Sequence, residues 1–240
     1  MIKNRKNIVL LHGWGAETKK LEPLKKELTK LGWNVFLPKL AGFEKPAPKE
    51  VWGIKEYSEF VLEESKKKFQ NNKFVIFGHS FGGGITIKLA AGNVKNLEGV
   101  VLCASRGISR GKTIKRFVFA VLAKAGIIFL VTPKLANNFR KLLYKAAREH
   151  DYEKTEGIMR EIFRKVVSED LKPILAKVKV PVLILWGDED KMTPLEDAFY
   201  ITKAISGSKL VIYKNQHHNL PYVKPVNLAE EINSFFINRK

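Results

Sequence analysis

A chain of 240 residues with 45% apolar and 28% charged residues can bury one sizeable core, and it fits one α/β domain with an insertion better than two full domains. Lys and Arg number 43 against 24 acids, a formal net charge of +19, which suits an acidic carrier protein or an anionic surface, although a lysine-rich coat on every solvated face gives the same count. A single cysteine, Cys103, excludes an internal disulfide. The N-terminal apolar run is too short for a signal peptide, so a cytoplasmic protein with a reduced, buried thiol is expected.

Taken in chain order, the elements alternate. "NIVLLHG" reads as a short buried strand, and "TKKLEPLKKELTKLG" sets Leu21, Leu24, Leu28 and Leu31 on one helical stripe that ends at Gly32. "WNVFLP" is a strand and "IKEYSEFVLEESKKKF" a helix; "KFVIFG" is a strand and "FGGGITIKLAAG" opens a helix; "LEGVVLCAS" is again a strand. The C-terminal part repeats the pattern in "VPVLILWG", "LEDAFYITKAIS", "SKLVIY" and "VNLAEEINSFFINR". Short, continuously apolar strands between amphipathic helices predict a mostly parallel sheet covered by helices on both faces.

Residues 106–170 break this rhythm, with helical patterns and no strand. They predict a helical insertion before the strand that leads into "GDEDKMTP", between core segments 1–105 and 171–240. No acid occurs from Gly99 to Arg148, whereas Lys and Arg recur from Arg106 onward, so much of the positive charge falls on this insertion. Its apolar stretch 117–131 contains Lys124 and is shorter than the roughly 20 residues that span a bilayer, so no transmembrane segment is expected. Helix-turn-helix, zinc-finger and RNP-like signatures are missing, which leaves no specific nucleic-acid partner.

The stretch "GHSFGGG" at 78–84 holds the chemistry. As a P-loop it fails, because Gly84 and Ile85 stand where lysine and a hydroxyl are needed; as a dinucleotide fingerprint it fails at Ile87. As a nucleophile elbow, GxSxG, it fits at Gly78-His79-Ser80-Phe81-Gly82 between a strand and a helix. A serine needs a base and an orienting acid. Asp188, Glu189 and Asp190 follow one later strand, and His217 and His218 follow the next, in the order this architecture requires. The backbone N–H groups of Phe81 and of Trp14, in "HGWG", are the candidate oxyanion donors. The adjacent His217 and His218 diverge and match no chelating spacing, so neither metal nor cofactor is expected. His12 and His79 are expected to be structural. Trp14, Phe81 and Met192 are candidates for an acyl pocket, or are plain core.

Through "LLHGWG", "GHSFGG", "WGDEDKMTP" and "HHNLPYVKP" the chain resembles the α/β-hydrolase fold family over nearly its full length. The resemblance implies Asp190 as the orienting acid, since Gly187, Asp190 and Pro194 match GxxDxxxP, and His218 as the base, seven residues before Pro225. It also implies that 106–170 is a lid, and that a serine rather than an aspartate at position 80 disfavours dehalogenase or epoxide hydrolase chemistry. The sequence departs from the family at His217, often glycine, and at Lys39 and Ala41 in "LPKLAGF". A weaker, compositional similarity to pimeloyl-carrier methyl ester esterases rests on the basic cap. The expected activity is hydrolysis of a small-molecule carboxylic ester by a Ser80–His218–Asp190 triad. A carrier-bound methyl ester or thioester, and a non-catalytic binding protein on the same fold, are the alternatives.

Overall fold

In the computed structural model, residues 6–70, 72–108 and 157–237 are described. Their strands form one parallel sheet in the order β2-β1-β3-β4-β5-β6. These are β1 (Asn7–Leu11), β2 (Asn34–Phe36), β3 (Phe74–His79), β4 (Leu97–Cys103), β5 (Val182–Gly187) and β6 (Lys209–Tyr213). Every pairing is parallel, so all loops that leave the strands open at the same end. The order reverses between β1 and β3, where β2 lies to one side and β3 to the other. A crevice at such a switch point is where open α/β sheets bind ligands.

Strand side chains alternate between two cores. Val9, Leu11, Ile76, Leu102, Ile184 and Trp186 face one side, with α2 (Ile54–Phe69), α3 (Phe81–Ala91), α4 (Gly157–Ser168), α5 (Lys172–Leu175) and α6 (Leu195–Ala204). Ile8, Leu10, Phe77, Val101 and Leu185 face the other, with α1 (Glu22–Lys30), α7 (Leu220–Val223) and α8 (Pro225–Ile237). Strands buried on both faces have no polar face to show, hence the continuous apolar runs. The edge strands β2 and β6 are only partly buried.

The predicted stripe of α1 stops one leucine early. Leu21, Leu24 and Leu28 are buried, but Leu31 is 40% exposed. The helix ends at Lys30, Gly32 turns the chain with φ +89°, and the Trp33 N–H donates to Leu28 O at 3.0 Å. The buried Trp33 thus takes the place that the periodicity assigns to Leu31. Of the predicted cap, the second helical pattern appears as α4. The helix anticipated at "FRKLLYKAAREH", the apolar stretch 117–131 and most of the basic run lie outside the described residues. Among the described residues no helix is long and apolar enough to cross a membrane. Cys103 is free and buried.

The two ends of the segment that leaves after β4 lie together. The Leu171 N–H donates to Gly107 O at 2.9 Å, and the Arg106 N–H to Ser80 O at 2.9 Å. Returning toward the core, α4 reaches the start of α2, where Glu169 Oε1 accepts from the Ile54 N–H at 2.9 Å.

Candidate active site

Ser80 sits between β3 and α3 with φ 52°, ψ −112°, a left-handed region that a residue with a side chain enters only under constraint. The constraint is visible. The Ser80 N–H donates to Cys103 O at 3.1 Å, and Ser80 O accepts from the N–H groups of Gly83, Gly84 and Arg106 at 2.9, 3.3 and 2.9 Å. The Gly82 N–H donates to His12 O at 3.2 Å, joining this turn to the loop after β1. A Cβ on Gly82 would stand 2.7 Å from Leu11 O, one on Gly78 2.3 Å from Gly82 O, and one on Gly83 2.1 Å from Ser105 Oγ. At Gly84 the nearest atoms are 3.3 Å away, so close approach requires glycine at 78, 82 and 83 but barely at 84.

Asp190 and His218, from the loops after β5 and β6, meet with Oδ2 2.8 Å from Nδ1. Asp190 is buried and well satisfied. Its Oδ1 accepts from the N–H groups of Met192 and Thr193 at 2.8 and 2.9 Å, and its Oδ2 also accepts from Thr193 Oγ1 at 2.8 Å. Burial alone would raise its pKa, but the hydrogen bond and charge of His218, with the Thr193 amide and hydroxyl, outweigh it and lower the pKa below the ordinary carboxylate value. Asp188 and Glu189 are exposed, and the largely exposed His217 turns to Glu189, 3.5 Å away. Because a carboxylate only accepts, the His218 proton lies on Nδ1, leaving the Nε2 lone pair to take a proton. Among the described residues the hydrogen bonds of the His218 side chain run to Asp190 and Thr193.

The N–H groups of Trp14 and Phe81 donate to no other described residue. Phe81 opens α3, whose first amides have no partner within the helix and whose dipole favours negative charge there. The side chains serve otherwise. The Phe81 ring is core, edge-on to Tyr57 at 5.0 Å, while Met192 is 52% exposed. Trp14 packs on Phe43, Phe81 and, from α4, Phe163, with centroids 5.0, 5.3 and 5.1 Å apart. His12 is buried and its Nδ1 lies 2.8 Å from Gly13 O, to which it donates; burial lowers its pKa, so it is neutral at pH 7. Among the described residues no group of three or more His, Cys, Asp or Glu is arranged to hold a metal ion.

Two contributors escape sequence reasoning. Thr193 contacts Asp190 and stands 3.1 Å from Ala104 O, tying the acid loop to the end of β4. The Trp186 Nε1–H donates to Thr193 O at 2.7 Å from within β5. The Asp-x-x-Thr spacing at 190–193, typical of local side-chain-to-backbone turns, is the signal that could have revealed Thr193; nothing local marks Trp186.

Comparison with known proteins gives a consistent picture. A family model described as serine aminopeptidase, S33 matches residues 2–222. Lipase 1 of Psychrobacter immobilis is 22% identical over 234 residues, covering 92% of this chain and 73% of that protein. A pimeloyl-[acyl-carrier protein] methyl ester esterase of Neisseria meningitidis is 24% identical over 238 residues, covering 89% and 86%. Among solved structures, an esterase from Exiguobacterium antarcticum superposes with a TM-score of 0.72 at 20% identity, covering 96% of this chain and 91% of that one. That likeness speaks for the fold.

Proposed function

Because the chain belongs to the serine aminopeptidase S33 family of α/β-hydrolases, we propose that it hydrolyses carboxylic esters through an acyl-enzyme on Ser80. The observation that carries this reading is the convergence of a strained Ser80 with an Asp190–His218 pair 2.8 Å apart at one end of the sheet. Ser80 Oγ attacks the ester carbonyl while His218 Nε2 removes its proton. Asp190 fixes the tautomer and stabilises the imidazolium. The amides of Trp14 and Phe81 bind the oxyanion, each worth about 3 kcal/mol in comparable sites. His218 then protonates the leaving alcohol, and water repeats the cycle on the acyl-enzyme. The Ser80–His218 hydrogen bond that this mechanism uses is of a kind that often tightens only when substrate binds.

Esters are preferred over peptides because the named relatives are a lipase and an esterase, although the family description itself is of an aminopeptidase. We place the core at 1–105 and 171–240 and regard 106–170 as a cap. Support comes from the joined ends at Gly107 and Leu171 and from α4, which sets Phe163 on Trp14 and Met159 on Gly42. A panel of p-nitrophenyl esters of increasing chain length, beside aminoacyl p-nitroanilides, tests the reading with wild type and Ser80→Ala. Ester hydrolysis lost on substitution is the expected result. Activity that survives it would remove Ser80 as nucleophile, and turnover of anilides alone would reassign the substrate.

A second reading, an acyl-carrier substrate, rests on the acid-free stretch from Gly99 to Arg148 and the similarity to the carrier-protein esterase. It requires binding of an acidic acyl carrier protein that weakens as salt rises. Equal binding at low and high salt would return the charge to solvation.

A further inference from the structure

Beneath the Asp190–His218 pair runs a second line of hydrogen bonds that acyl transfer does not itself consume. His79, buried at the end of β3, places Nε2 2.8 Å from the carbonyl oxygen of His218. A carbonyl only accepts, so Nε2 carries the proton. Burial first, and then the nearby His218, bring the His79 pKa down to about 3, so the ring is neutral and Nδ1 keeps a lone pair. Tyr222 Oη, from α7, lies 3.2 Å from that Nδ1 and therefore donates to it. The His79 ring in turn lies against the backbone of Gly13. Both bonds point one way, from Tyr222 through His79 to His218, as in chains whose members polarise one another.

The packing is as close as the bonding. The His79 ring lies 4.9 Å from the His218 ring and 5.3 Å from that of Tyr222, and a Cβ on Gly13 would come within 3.2 Å of His79 Nδ1. His218 needs this support. It hangs from a loop without regular structure, entered through Asn215 at φ 55°, and Asp190 holds its imidazole at Nδ1 but not its main chain.

We infer that His79 and Tyr222 are positioning residues: His79 fixes the main chain from which the base hangs, and Tyr222 holds that same ring in place against Gly13, so that base and oxyanion loop keep one register. The inference rests on the reading of His218 as general base and of Trp14, next to Gly13, as oxyanion donor. A neutral His79 also suits the step in which His218 becomes an imidazolium, because no second positive charge stands 4.9 Å away.

The test uses a fluorophosphonate, which needs no knowledge of the substrate: Ser80 Oγ bonds to phosphorus, fluoride leaves and His218 takes the proton. For Tyr222→Phe the maximal inactivation rate should fall about tenfold with the half-saturating concentration within twofold of wild type. His79→Phe should lose about a hundredfold, and His79→Gln, whose amide N–H can reach the His218 carbonyl, should recover to within about tenfold of wild type. An unchanged rate in Tyr222→Phe, or equal rates in His79→Phe and His79→Gln, would overturn the inference. So would variants that lose only thermal stability while labelling at the wild-type rate. Ser80→Ala separates the two levels. If it still labels, the proposed function falls as well; if it is inert and Tyr222→Phe behaves as wild type, only the positioning role falls.

Discussion

The turn that carries Ser80 and the loop that carries His218 reach the same end of the sheet by opposite means. The serine turn is held by main chain: four backbone hydrogen bonds to Ser80 itself and three glycines that admit no Cβ. The histidine loop has a main-chain anchor at Gln216, whose carbonyl accepts from the Glu189 N–H at 2.9 Å, but His218 itself is held by side chains, with Asp190 at the imidazole and His79 at the carbonyl. A turn built from backbone tolerates the loss of neighbouring side chains but not an added methyl group. A loop built from side chains accepts small changes of volume but not the loss of a donor or acceptor. The proposed nucleophile, Ser80, is thereby fixed by sterics, and the proposed base, His218, by hydrogen bonds to side chains.

Four expectations press on that contrast. The largest concerns the nucleophile: Ser80→Ala should lower kcat about a millionfold, by comparison with serine hydrolases whose nucleophile has been removed, with folding unaffected by circular dichroism. Next is the orienting acid. Asp190→Asn keeps the shape but offers a donor where Nδ1–H requires an acceptor, and kcat should drop about ten-thousandfold in ester hydrolysis. Smaller, and decisive for the contrast, is a pair of methyl insertions followed by chemical denaturation. Gly82→Ala should cost about 1–3 kcal/mol as Leu11 and His12 are pushed aside, whereas Gly84→Ala, with 3.3 Å of clearance, should cost less than about 1 kcal/mol. A larger loss at Gly84 than at Gly82 would show that approach to the β1 loop does not govern the turn.

The smallest effect is one of pH. His79 binds a proton in the folded protein only near pH 3, but in the unfolded chain at about 6.5. Below pH 6.5 the unfolded state therefore gains a proton that the native state refuses. Stability should fall by about 1.4 kcal/mol per pH unit from this group, until the native ring also protonates near pH 3. The lowered pKa of Asp190 acts in the same direction below about pH 4. Comparing denaturation at pH 7 and pH 5, wild type should lose about 2 kcal/mol more than His79→Gln.

Much of this was legible in the sequence, because strands buried on both faces and helices buried on one write their environment in every residue. The parallel α/β sheet and its element order follow from that periodicity, and the candidates Ser80, Asp190 and His218 lie in the turns and loops that leave β3, β5 and β6. Periodicity failed at Leu31, because the left-handed turn at Gly32 is a backbone event that the stripe does not encode. It also could not separate Phe81, a core ring, from Met192, an exposed one. Trp186 and Tyr222 gain their roles from neighbours that no local pattern marks: Trp186 from a carbonyl seven residues on, in the loop that leaves its own strand, and Tyr222 from a histidine 143 positions away in sequence. His79 was legible as part of a motif but not as a donor to the next loop but one.

The bond from the Leu171 N–H to Gly107 O has a consequence for how such a chain can change over time. Departure and return lie side by side, so the sheet registers only that the excursion closes, not how long it is. Lengthening a closed loop adds entropy only logarithmically. The segment between these two residues can thus be lengthened, shortened or exchanged by recombination without moving Ser80, whose carbonyl is gripped one residue upstream by Arg106. On the proposed reading of this segment as a cap, substrate preference can drift while Ser80 keeps its place.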